Sequence, residues 1–273
     1  MEAVKIKMIP RSAVDLLYPR RCPVCHDIAP VGRDICPDCR EALPYVREPR
    51  CRKCGKPVEE TEVFCGDCMK YPRSFDEGSS AFIYDDRMRE TIRFFKNKGR
   101  REYGSVLGRL LLEACREELE RWKPDLIVPV PLHRSKLRKR GYNQAEIVAG
   151  ELSKRSGIKM RGGALTRLKA TRAMRQLDAS ERRKNLTGAF AVNREELLLK
   201  GSGRGEKLRN GGTGDAGTSA DDSGKCAGRV LLIDDIFTTG STMDASAAAL
   251  KSAGVKEVFF LTVCTGAGSS AIY

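Results

Sequence analysis

The sequence predicts an α/β protein: a parallel sheet with helices on both faces, preceded by a small N-terminal unit held by metal. Two observations carry this. Strand-like and helix-like segments alternate from about residue 79 onward, and four Cys-x-x-Cys pairs are crowded ahead of them. The strand-like runs are short and continuously apolar, the pattern of strands buried on both faces. A chain of 273 residues, 41% hydrophobic and 32% charged, is long enough for one sizeable domain and one small one. The expected division is 14–72 for the cysteine-rich unit and 79–273 for the α/β domain.

The cysteine-rich unit is an internal repeat. Eight of the eleven cysteines form the pairs Cys22/Cys25, Cys36/Cys39, Cys51/Cys54 and Cys65/Cys68, and each of the last four follows its counterpart by 29 residues. The copies read CPVCHDIAPVGRDICPDC and CRKCGKPVEETEVFCGDC, each with two knuckles ten residues apart. That is the spacing of tetrahedral zinc held by four thiolates, so two structural Zn2+ sites are expected. Sequential pairing, Cys22/Cys25/Cys36/Cys39 and Cys51/Cys54/Cys65/Cys68, is the expectation, with an interleaved arrangement as the alternative. A segment with so few large apolar residues needs metal to fold. Both sites are closed, which assigns them structure and docking rather than catalysis. His26 is surplus to these sets and is expected to be an exposed neighbour. Cys115, Cys226 and Cys264 stand alone as packing residues or free thiols.

In the α/β region, AFIYDD at 81–86 reads as a strand, and 104–122 as a helix with Leu107, Leu110, Leu111 and Ala114 at helical spacing. LIVPV at 126–130 is a strand and 143–155 an amphipathic helix. Residues 229–234, 241–254 and 257–263 spell strand, helix, strand. Ligands of such sheets bind at the carboxyl ends of the strands. No apolar run approaches the roughly 18 residues of a membrane span. The segment MEAVKIKMIPRSAVDLL is interrupted by charge and Pro10, unlike a secretory signal, so the expected location is cytoplasmic.

The most specific motif is VLLIDDIFTTGST at 230–242. A buried strand ends in Asp234 and Asp235, then turns through hydroxyl-bearing Thr238, Thr239, Ser241 and Thr242. Gly240 lets the backbone approach a ligand, and amides at a helix start cradle an anion. Two carboxylates upstream suit vicinal hydroxyls or Mg2+. A phosphate beside a diol describes a ribose 5-phosphate. No GxxxxGK[ST], HExxH or GxSxG motif occurs, and two histidines, His26 and His133, leave little for a histidine relay.

This motif closely resembles the phosphoribosyl diphosphate (PRPP) loop of type I phosphoribosyltransferases. Together with the cysteine ribbons, VPVPLHRSKLRKRGYNQAE at 128–146 and QLDASERRKNLTGAF at 176–190, it resembles the ComF family, related to the ComFC competence proteins, over about 14–190 and 229–264. The resemblance implies a type I phosphoribosyltransferase-like sheet behind a double zinc ribbon. It implies that Asp234 and Asp235 contact the ribose hydroxyls and that Thr238, Thr239, Gly240, Ser241 and Thr242 enclose the 5-phosphate. The PVPLH turn, with Val130, Pro131 and Leu132, stands where pyrophosphate is held, on exposed backbone amides. Arg140 is placed as a phosphate ligand, and Tyr142, Asn143 and Gln144 either line the acceptor pocket or cap the following helix. Gln176, Arg182 and Asn185 fall on the stretch that closes over PRPP. Lys96 lies in a shared basic segment of unassigned role.

The implied chemistry is pentosyl transfer, a glycosyltransferase reaction displacing pyrophosphate from PRPP with Mg2+ onto an unidentified acceptor. The implied cellular role is DNA uptake in natural transformation. The alternative is a non-catalytic single-stranded DNA-binding adaptor that keeps the fold, with a competence helicase as a further partner. Fifty Lys and Arg against thirty-six Asp and Glu, net +14, suit phosphates of a nucleotide or a nucleic acid, or a plain solvated surface. One departure from the family pattern is 201–228, with nine glycines, expected to be a flexible surface insertion.

Overall fold

The structure, a computed structural model, describes residues 19–169, 188–199 and 225–266. The cysteine-rich unit contains two one-turn helices, α1 (Pro37–Glu41) and α2 (Gly66–Lys70). Strand β1 (Glu77–Ile83) then leads into α3 (Asp86–Asn97), α4 (Tyr103–Ala114) and α5 (Arg116–Trp122). Strand β2 (Leu126–Pro129) is followed by α6 (Arg134–Arg140), α7 (Gln144–Ser156), β3 (Lys159–Met160) and β4 (Leu165–Arg167). After these come β5 (Phe190–Val192), β6 (Leu198–Leu199), β7 (Lys225–Cys226), β8 (Arg229–Phe237), α8 (Ser241–Ser252) and β9 (Glu257–Thr265).

The central sheet has the order β1-β9-β8-β2-β3, and every pairing is parallel. Its core divides by the period of two along each strand. Ile127, Leu231, Ile233, Phe259, Leu261 and Val263 face a cluster with α3, α4 and α7, while Leu126, Val128, Val230, Leu232, Val258 and Phe260 face another with α8. Each fully buried large side chain contributes about 1.5–3 kcal/mol, so both faces are committed. The first ribbon packs with the α3/α4 face through Cys22, Val24, Ile35 and Leu43, and the second joins the α8 face through Cys51, Cys54, Cys65 and Phe75. Among the described residues, no helix is long and apolar enough to cross a membrane.

Several boundaries differ from the sequence expectation. The strand expected at 81–86 begins at Glu77 and ends at Ile83, because Asp85 caps α3 by accepting from the Met88 amide at 2.8 Å. The helix expected over 104–122 is broken at Cys115, whose backbone leaves the helical region. The strand expected at 229–234 continues through both aspartates to Phe237, pairing Asp234 with Thr262 and Phe237 with Thr265. The last residues of the 201–228 insertion are part of the fold. Lys225–Cys226 pairs antiparallel with Leu198–Leu199, Ala227 is fully buried, and the Gly228 amide donates to Asp125 Oδ2 at 2.9 Å. Residues 200–224 lie outside the described residues. Cys115 and Cys264 are buried thiols; burial pushes Cys115 up to about 12 and Cys264 well above the ordinary range, so both remain protonated packing groups.

Candidate functional site

Strand β8 delivers its two carboxylates at the carboxyl edge of the sheet and passes through Thr238–Gly240 into α8. Gly240 has φ +76°, and a Cβ there would lie 2.8 Å from the Phe237 ring, so the turn requires glycine on both counts. As N-cap, Gly240 offers no side chain to the first-turn amides of α8, which stay open to an anion. Thr239 Oγ1 and Ser241 Oγ are hydrogen-bonded at 3.0 Å beside them; Ser241 is buried, Thr242 half-buried and Thr238 exposed.

Consecutive strand residues point to opposite faces, so the two aspartates diverge. Asp235 is buried, and its Oδ1 pairs with Lys96 Nζ at 2.9 Å, which gives the unassigned Lys96 a definite place at the end of α3. Asp234 Oδ1 accepts from the Asp235 amide at 2.8 Å. A solvent-facing edge of Asp234 remains, but surrounding protein desolvates the carboxyl and Asp235 adds like charge, which together raise it to about 7 against the partial opposition of Lys96 and Arg167. Asp234 is therefore poised to exchange a proton near neutrality.

The adjoining turn is tied to the same strand: Pro129 pairs with Ile233, and the Val130 amide donates to the Ile233 carbonyl at 2.9 Å. This corrects the expectation of exposed amides across PVPLH. The Val130 amide is spent, and Pro131 has none, so Leu132 carries the first amide of the turn that a ligand can use. His133 caps α6, its Nδ1 accepting from the Ser135 amide at 3.3 Å, and Gly141 closes that helix with φ +79°.

RGYNQAE resolves into two roles. Asn143 caps α7 by accepting from the Ala145 amide at 3.1 Å, and its Nδ2 donates to the Val130 carbonyl at 3.1 Å, locking the PVPLH turn to the helix. Tyr142 is buried and its hydroxyl donates to the Phe95 carbonyl, so it fastens the corner to α3 rather than lining an open pocket. Arg140 donates to Gln144 Oε1; Gln144 is buried, and its Nε2 finds no hydrogen-bond partner among the described residues. Gln176, Arg182 and Asn185 lie outside the described residues.

Two further cations, Lys136 and Arg167, join this site. Lys136 stands one helical turn before Arg140 on α6, hence on the same face, and its ammonium is lowered by desolvation and by Arg167, Arg140 and Lys96. Arg167, from β4, is lowered by burial while Asp234 opposes the shift, and its guanidinium stacks 5.4 Å from the Phe190 centroid. The helical spacing within RSKLRKR signals Lys136; nothing local signals Arg167, which β4 places there. The result is a pair of carboxylates faced by Lys96, Lys136 and Arg167, with Arg140 next to Lys136, beside open helix amides. Such an arrangement can neutralise several phosphate oxygens while leaving oxygen acceptors for hydroxyl groups.

The cysteines form two separate clusters in sequential pairing. The four Sγ atoms of Cys22, Cys25, Cys36 and Cys39 lie within 4.8 Å of one another, as do those of Cys51, Cys54, Cys65 and Cys68. Tetrahedral coordination at Zn–S distances of about 2.3 Å requires edges of about 3.8 Å. Cys25–Cys36 at 3.8 Å and Cys54–Cys65 at 3.6 Å match it, so the donor sets fit structural Zn2+. His26 is not an exposed neighbour as expected. It stacks on Phe94 with centroids 3.8 Å apart, its Nδ1 meets the Tyr103 hydroxyl at 3.1 Å, and burial holds it below the ordinary histidine range. The histidine is part of the seam between the first ribbon and α3/α4.

Residues 13–69 match the double zinc ribbon domain, and residues 204–271 match the phosphoribosyl transferase domain. Competence protein F of Haemophilus influenzae is 28% identical over 244 residues, 87% of this chain and 93% of that protein. DNA utilization protein YhgH of Escherichia coli K12 is 28% identical over 253 residues, covering 91% and 98%. Competence protein ComFC of Streptococcus pneumoniae is 26% identical over 226 residues, covering 82% and 84%.

Proposed function

We propose that this chain, a ComF-family protein joining a double zinc ribbon to a phosphoribosyltransferase domain, binds PRPP with Mg2+ and serves DNA uptake or use in the cytoplasm. The observation that carries the ligand reading is the divergent Asp234–Asp235 pair leading through Gly240 into the uncapped start of α8, with Lys96, Lys136 and Arg167 about it. The names of the relatives, Competence protein F and DNA utilization protein YhgH, support the cellular role.

On this reading the α8 amides and the hydroxyls of Thr238, Thr239, Ser241 and Thr242 hold the 5-phosphate, and Asp234 and Asp235 accept from the ribose hydroxyls. Lys136, Arg140 and the Leu132 amide meet the pyrophosphate and balance the charge that grows on it as it leaves. Lys96 orients Asp235 through their 2.9 Å ion pair. Two carboxylates supply fewer protein ligands than a dedicated metal cage, which fits Mg2+ brought with the ligand and completed by phosphate and ribose oxygens. When bound there, Mg2+ supplies neutralisation of the pyrophosphate oxygens. Transfer needs no protein nucleophile, because positioning and charge stabilisation suffice for an oxocarbenium-like transition state.

A second reading, a single-stranded DNA adaptor, is favoured by α6, where Arg134, Lys136, Arg138 and Lys139 are all exposed next to the site. Calorimetry of PRPP with Mg2+ on the zinc-loaded protein and on Asp234→Ala/Asp235→Ala separates the two. Binding lost in the double variant supports the phosphoribosyl site. No binding by the parent, with steeply salt-dependent DNA binding that survives the double variant, supports the adaptor.

A further inference from the structure

The second ribbon bears on the underside of the phosphate turn. Lys56, only 9% exposed, pairs with Asp67 Oδ2 at 2.8 Å and holds its Nζ 5.5 Å from the Phe237 centroid. Arg73 donates to the Asp67 carbonyl at 3.5 Å, and its Nη1 stands 3.4 Å from the point a Cβ on Gly240 would occupy. The next amide, that of Ser74, donates to Asp244 Oδ1 in the first turn of α8 at 2.6 Å. Phe237, Gly240 and Asp244 are thus each met from one side by the chain between residues 56 and 74. Arg73 itself lies outside both matched domains, which cover 13–69 and 204–271. Its Nε is buried and finds no hydrogen-bond partner among the described residues.

We propose that Arg73 is a positioning residue of the phosphoribosyl site: held by the second ribbon, it fixes the Gly240 turn from beneath and puts a positive charge against the anion-binding backbone. The ribbon is then a structural part of the pocket, and the turn is competent only while the ribbon is docked on the sheet. Docking depends on Gly55, whose φ is +69° and where a Cβ would fall 2.7 Å from the Gly78 carbonyl oxygen of β1. The first ribbon offers a matched control in Gly32, with φ +76° but nothing within 4 Å. The inference rests on the phosphoribosyl reading.

The test is calorimetric binding of ribose 5-phosphate to the full-length, zinc-loaded chain, with zinc content measured for every variant. Arg73→Gln is expected to weaken binding about tenfold, the scale of one unit charge acting over about 12 Å near a protein surface. Arg73→Lys keeps the charge and is expected to stay within about threefold of the parent. Gly55→Ala weakens binding without touching a cysteine, whereas Gly32→Ala does not. Arg73→Gln binding as tightly as the parent, or Arg73→Lys failing as badly as Arg73→Gln, overturns the role of Arg73 while leaving the phosphoribosyl reading intact. A parent that binds no ribose 5-phosphate removes that reading and this inference together.

Discussion

Replacing Asp234 by Asn isolates the titration that the site imposes on one carboxyl. Burial and the adjacent Asp235 raise Asp234 to about 7 from an ordinary 3.8, so about a tenth of it is ionised at pH 6, half at pH 7 and nine-tenths at pH 8. A ligand that needs the carboxylate to accept from a ribose hydroxyl should therefore gain about fivefold in affinity from pH 6 to 7 and less than twofold from pH 7 to 8. Calorimetry in two buffers of different ionisation enthalpy should register proton release below pH 7. The second ionisation of the ligand's own phosphate, near 6, is common to parent and variant, so their difference reports Asp234. A ligand-free arm uses the fold alone. The raised carboxyl favours the folded state fully below about 3.9, and that advantage is lost as pH rises through about 7. Asp234→Asn, which never ionises, should gain thermal stability relative to the parent across that window, most at pH 8. Equal pH dependence of ribose 5-phosphate binding in parent and variant would refute the assigned role of Asp234, and equal stability profiles would refute its electrostatics.

Gly240→Ala places a Cβ against Phe237 in a left-handed turn, and about 2 kcal/mol of strain, equivalent to about 30-fold in ribose 5-phosphate affinity by calorimetry, is the expected loss. Metal analysis should give two zinc ions per chain, and chelation should melt the ribbon signals in an NMR spectrum; fewer than two would count against the double four-cysteine arrangement. His26→Ala removes the Phe94 stack and the Tyr103 hydrogen bond, an expected cost of about 2 kcal/mol in urea denaturation with zinc content unchanged.

The turn between β8 and α8 was readable from a dozen adjacent residues because every group in it is local: a strand, two acids, a glycine and the first turn of a helix. The cysteine clusters were readable for the same reason, since ligand spacing within each copy of the 29-residue repeat sets the coordination geometry. RGYNQAE was only half legible. Its cap at Asn143 follows from local backbone chemistry, but the Tyr142 hydroxyl finds its acceptor at Phe95, 47 positions away in the chain. Arg167 and Arg73 carry no local mark, and the sequence around Lys96 marks no role, because each becomes part of the site through a long-range contact with β8 or with the turn that follows it.

The sequence by itself therefore determined the class of fold, the two metal-binding clusters and the position of the paired carboxylates, all of which follow from periodicity and short-range spacing. Only the tertiary structure decided which cations surround those carboxylates, that Val130 gives up its amide to the sheet, and that His26 and Arg73 belong to the seams between ribbons and domain. These are settled by which element ends meet in space, and desolvation and charge proximity, which raise Asp234 and lower Lys136, exist only once the elements have packed.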